Sequence, residues 1–246
     1  MSRSGELAEQ TRGFADHLTK LLNETVCDNA FVGAICRPDG STAAIGTNLF
    51  RVGRAGAVRL SASGDVPLWL TVTCRAYLDD RGHLTVEQSA YFLQTGPNQD
   101  RLTELLHYDY ERDKAEYPEA HLQVNANSDE WEAVLAASGK PKAGVGKLHL
   151  PVGGRRYRPA LEDLIDALIR EGLLIGKPGW PRIIDEHREK FRKIQLLAAI
   201  ARSPEVAAVA LQGLGYEVSP PSAPSAFGKL LPFKQAKKRG RQGRKG

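Results

Sequence analysis

Cysteine is scarce: Cys27, Cys36 and Cys74 are odd in number, widely spaced and form no CxxC pair. That excludes a disulfide framework and a zinc knuckle, and it suits a reducing compartment. Long apolar runs are missing as well. The N-terminus MSRSGELAEQTRGF lacks the apolar core of a signal peptide, and no later stretch approaches the roughly 20 apolar residues that span a bilayer. The expectation is a cytoplasmic protein with no membrane partner. Nor does the chain carry GxxxxGK[ST], GxGxxG, HExxH or GxSxG, so nothing points to a P-loop, a dinucleotide fold, a zincin or acyl transfer.

What is present is enough chain, 246 residues, for one substantial core or two small ones without metal or disulfide. The net charge of +5 is unevenly placed. Eight basic residues and no acidic ones fall between Lys229 and Gly246, and setting them aside leaves 26 basic against 29 acidic residues. The body is therefore slightly acidic. Basic character belongs to the tail.

Apolar residues at three- and four-residue steps (Leu7, Phe14, Leu18, Leu21, Leu22) predict a helix over 6–26. Short β-like runs follow: FVGAICR, TAAIG and GAVRLSAS. LWLTVTCRAYL and HLTVEQSAYFLQ, joined by Asp79-Asp80-Arg81-Gly82, predict a hairpin ended by Gly96-Pro97-Asn98. Strands are expected around His107, at HLQVN and at LHLPV, with a short helix after Ser128 between the last two. Arg158-Pro159 is expected to open a helix with proline at its first turn. A second long helix is expected over 181–201 and a third after Ser203-Pro204-Glu205. Beyond Ser219 the Pro/Ser/Gly-rich and then charged sequence predicts disorder.

The fold class expected is α+β: a mainly antiparallel sheet packed with the N-terminal helix (1–157), a helical section (158–217) and a disordered basic tail (218–246).

Chemistry concentrates between Glu104 and Arg158. His107 and Asp109, two residues apart on a strand, share a face, and the same parity groups His121, Gln123 and Asn125. His149 lies on the last expected strand, just before Arg155, Arg156 and Arg158. Converging imidazoles could serve as base and acid on a phosphodiester with the arginines holding phosphate. They could equally hold a divalent metal, the one cofactor the pattern admits. The competing reading makes each histidine an ordinary sheet residue, and strand register decides between them. His17, His83 and His187 are assigned no role.

The tail cations Lys237, Lys238, Arg239, Arg241, Arg244 and Lys245 would attract phosphate backbones without reading sequence. The functional expectation is a nucleic-acid-associated protein, a small His-dependent ribonuclease in its sharpest form. Its alternative is a non-catalytic module that binds another protein.

Overall fold

The computed structural model describes residues 2–50, 55–126, 150–152, 158 and 160–219. The expected Ser128 helix, His149, Arg155, Arg156 and the tail cations lie outside the described residues.

Helix α1 spans Arg3–Thr25, and the Ser2 side chain caps it by accepting the Gly5 N–H at 3.2 Å. Its apolar stripe is buried: Leu7, Leu21 and Leu22 are fully inaccessible, with Phe14 and Leu18 beside them. Its last carbonyls are held from the C-terminal half of the chain, where Lys177 Nζ reaches Asn23 O at 2.9 Å and the Lys177 N–H reaches Thr25 O at 2.9 Å. A cation at the negative end of the helix is favourable in itself.

Among the described residues eight strands follow: β1 (Val32–Cys36), β2 (Ala43–Thr47), β3 (Val58–Arg59), β4 (Leu68–Leu78), β5 (Leu84–Asn98), β6 (Arg101–Glu111), β7 (Ala120–Val124) and β8 (Leu150–Pro151). They form one sheet in the order β1-β2-β4-β5-β6-β7-β8, with β3 beside β2 along β4, and every pairing is antiparallel. Alternation sends Leu70, Val72, Cys74, Tyr91 and Leu93 to the helix-covered side, where they join α1 in one core.

The helical section is α2 (Leu161–Arg170), α3 (Trp180–Arg202) and α4 (Pro204–Gly213). Leu161, Leu164, Ile165, Leu168 and Ile184 belong to the same core as the sheet. No single described helix is long and apolar enough to cross a membrane; α3 and α4 pass such a test only together, across a 106° bend.

The β4–β5 pairing ends at Leu68↔Thr95, just before Gly96 as expected, while β5 runs on to Asn98 beside β6, with a register shift between Thr95↔Thr103 and Asn98↔Arg101. Two expectations needed correction. Only Val58–Arg59 of GAVRLSAS pairs, opposite Leu70 and Trp69, and Ala62 instead bridges to Leu174 in the α2–α3 connection. Helix α2 starts at Leu161, after an extended Ala160, so Pro159 precedes the first turn. Glu162 and Asp163 supply its N-terminal charge instead.

Candidate metal centre on the polar face of the sheet

The side of the sheet away from the helices is polar, and register decides what meets there. Asp109 pairs with His121 and His107 with Gln123, so all four side chains share one face. The ligand atoms of His107, Asp109 and His121 all lie within 4.8 Å of one another. Two of the three expected histidines and the expected carboxylate are therefore brought together.

Each imidazole is anchored through Nδ1. His121, 1 % exposed, donates Nδ1–H to Pro118 O at 2.8 Å. A carbonyl can only accept, so the proton sits on Nδ1, and Nε2 faces Asp109 Oδ2 at 3.9 Å. His107 donates Nδ1–H to Glu104 Oε1 at 2.7 Å. Three residues apart on a regular strand, Glu104 and His107 would point to opposite faces. The bulge between Leu93↔Leu106 and Gln94↔Glu104 adds Leu105 to β6 and turns Glu104 back to the histidine side. Fixing one ring nitrogen to a carboxylate or carbonyl while presenting the other is how proteins orient metal-binding histidines.

Asp109 Oδ1 accepts the Tyr110 N–H at 3.1 Å, and Oδ2 is the oxygen turned to His121. Burial pushes its carboxyl above the usual range, against the opposing pull of His121 and His107. Tyr117 backs the group: its ring meets His121 edge-on at 5.0 Å and its hydroxyl donates to Glu111 Oε1 at 2.8 Å. Glu111 lies below the usual range; burial pushes it up, and the Tyr117 hydroxyl and Lys114 outweigh that.

Asp109 and Glu111 border an open cavity of about 500 Å³ with Gln88, Thr73 and Arg75. Its far wall is close: a Cβ on Gly46 would lie 2.8 Å from Ala55 Cβ, so only glycine lets Ala55 approach that closely. The cations here are committed, Arg75 to Glu87 through two bonds of 2.7 and 3.1 Å and Lys114 to Glu111 at 3.3 Å. A phosphate entering would meet carboxylates first. A cation would not.

Arg158, expected to hold phosphate beside the histidines, is on the other face. It reaches Ser89 Oγ at 3.4 Å and lies over the Phe191 ring of α3 at 5.1 Å. Ser89 precedes Ala90, the register partner of Asp109, and successive strand residues point oppositely.

Two histidines assigned no role also converge. His17 of α1, Glu162 of α2 and His187 of α3 have ligand atoms within 4.8 Å of one another. The two rings stack at 4.0 Å and 24°, and His17 Nε2 is 3.8 Å from Glu162 Oε1. His187 Nδ1 is buried without a hydrogen-bond partner. Both histidines sit at apolar-face spacing on their helices, but nothing in one sequence shows that two helices separated by the whole sheet region will be neighbours.

No family model, characterised protein or solved structure matches the chain.

Proposed function

We propose that this chain is a cytoplasmic nucleic-acid-associated protein that cleaves RNA with a divalent cation held by His107, Asp109 and His121. The reading rests on one observation: two imidazoles with Nδ1 tied down and a carboxylate share a face beside an open cavity. Ligands at metal distances of about 2.0–2.2 Å stand roughly 3.3 Å apart, so the group needs to contract by about 1 Å around an ion. Two nitrogens and one oxygen leave positions for water and substrate.

A metal rather than a bare histidine pair suits the charges. Asp109 and Glu111 would repel a phosphodiester unless a cation lay between. His107, Asp109 and His121 would hold the cation, which would supply a water of lowered pKa as nucleophile; as it attacks phosphorus and the bond to the ribose oxygen breaks, the proton it gives up would pass through solvent to the leaving oxygen. The six tail cations would hold the RNA backbone nearby, with an affinity that falls steeply with salt.

Labelled single-stranded RNA incubated with the full chain and Mn²⁺ or Zn²⁺ should be cleaved. EDTA should stop the reaction, and His121→Ala should slow it at least 100-fold while the circular dichroism spectrum holds. Cleavage indifferent to EDTA, or no cleavage with any divalent ion, rejects the proposal.

One observation favours a second reading, a protein-interaction module. Helix α4 buries no residue, and Val206, Val209, Leu214 and Tyr216 on and after it are each at least 64 % exposed. Such an apolar stretch is the kind of surface that partners cover.

A further inference from the structure

A cavity of about 610 Å³ lies between the C-terminal half of α3 and the end of the β4–β5 hairpin. That is within the range of roughly 300–1,000 Å³ typical of small-molecule sites. Arg81, Arg112, Arg158 and Arg202 border it, and none of the four forms an ion pair with a described carboxylate. Arg112 spends its Nε on Val86 O at 3.0 Å and lies over the Tyr110 ring at 5.8 Å. Arg158 donates to Ser89 Oγ, also bonds Tyr91, and has its Cζ 5.1 Å from the Phe191 ring centroid. Each guanidinium carries five N–H donors, so both keep donors to spare while positioned beside an aromatic ring.

Three carboxylates border the cavity as well, Asp79, Asp113 and Glu119, and two of them accept backbone N–H groups. Asp79 Oδ1 accepts the N–H groups of Arg81 and His83 at 3.0 and 2.8 Å, and Glu119 Oε1 accepts that of Asp113 at 3.1 Å. His83 also borders the cavity, and its Nε2 is buried with no hydrogen-bond partner. Asp79 Oδ2, 3.6 Å from its Nδ1, favours the proton on Nδ1 and a lone pair on Nε2.

We propose that this groove binds a nucleoside phosphate. Arg112 and Arg158 take the phosphate, and the apolar wall of α3, with Phe191, Ile194, Leu197 and Ala198, receives the base. The rival occupant is the chain's own C-terminal segment. Its eight cations, with no acid between Lys229 and Gly246, would face four arginines, so charge opposes it. The groove is on the helix-covered side, away from His107, Asp109 and His121, and the inference does not need them to hold a metal.

The test is calorimetric titration of the full chain in EDTA with AMP, GMP, CMP and UMP, beside adenosine and inorganic phosphate. At least one nucleotide should bind saturably and at least tenfold tighter than either fragment. Arg112→Gln and Arg158→Gln should each weaken it at least tenfold. His121→Ala should leave it unchanged, as should a variant with Lys237, Lys238, Arg239, Arg241, Arg244 and Lys245 all replaced by Ser. If Arg158→Gln unfolds by circular dichroism, Arg112→Gln decides alone. The proposal is overturned by absence of saturable nucleotide binding, by binding that survives the arginine substitutions or is lost with the tail cations, or by phosphate alone binding equally well.

Discussion

The molecule holds the same three-ligand set, two imidazoles and one carboxylate, on both sides of one sheet, and the neighbouring residues Ala90 and Tyr91 face one group each. Ala90 pairs with Asp109 on the polar face, while Tyr91 borders a small cavity shared with His17 and Glu162 under the helices. Donor type is equal; surroundings are not. On the polar face both rings are tethered at Nδ1 and acids predominate, an environment that attracts a cation. At the helix junction the rings lie face to face, and Lys20 and Lys190 add positive charge around His187. Nearly parallel rings cannot both aim their in-plane lone pairs at one ion midway between them. Convergence of ligand types is therefore not enough to make a metal centre. Orientation and net charge decide.

The largest expected effect breaks the comparison if it fails. Cobalt(II) added to the full chain should give a visible d–d spectrum that His107→Ala or His121→Ala weakens at least 100-fold in metal affinity. His17→Ala and His187→Ala should leave the titration unchanged. Loss of the signal in the second pair would move the metal to the helix junction.

The second effect is pH dependence of stability, and it should belong to the helix junction. Burial, then repulsion from His17, pushes His187 down from 6.5 to about 4, against the pull of Glu162. Between those values the unfolded chain takes up a proton that the folded chain refuses. The stabilising contribution is whole above pH about 6.5 and lost as pH falls towards 4, up to about 3 kcal/mol. Glu162 runs the same way: burial raises it, the bond from His17 more than compensates, and its lowered pKa makes it stabilising above about 4.5 and lost on further acidification. Urea unfolding at pH 7.5 and 5.0 should show His187→Phe losing much less stability on acidification than the parent. An unchanged pH slope in that variant would refute the assignment.

Third, Glu104→Gln should weaken the polar-face metal about tenfold, the lower end for a residue that orients a ligand rather than touching the ion. Cobalt titration reads it directly, and an effect below twofold would show His107 held by its packing on Phe92 alone.

Legibility of these features followed the range of the interaction that determines each. Helix α1, the β4–β5 hairpin and α3 were readable because apolar periodicity and turn residues are local. The shared face of His107 and Asp109 was readable for the same reason, as strand parity needs only two residues. That Asp109 would pair with His121 was a matter of register, which parity leaves open by two-residue steps. Glu104 was invisible because a bulge at Leu105 reverses its parity, and no residue there announces one. Arg158 was misplaced because proximity in sequence to a strand says nothing about which face the chain takes after leaving it. His17 and His187 were passed over because their meeting depends on how α3 packs across α1, a contact between residues 170 positions apart.

The smallest expected effect isolates the outermost layer of the polar-face group. Tyr117→Phe keeps the ring that meets His121 edge-on and removes the hydroxyl that donates to Glu111. One partly exposed hydrogen bond is worth about 1 kcal/mol or less, so the melting temperature should move by only a few degrees. Glu111 should titrate higher, since the hydroxyl is one of the groups, with Lys114 and His121, that hold it down against burial. Cobalt affinity should change less than threefold because the tautomer of His121 is fixed by Pro118 O, which the substitution leaves in place. Removal of the ring as well, in Tyr117→Ala, lets His121 move and should cost more than the hydroxyl alone. Equal losses in the two variants would mean that the hydroxyl, not the carbonyl bond, orients the histidine.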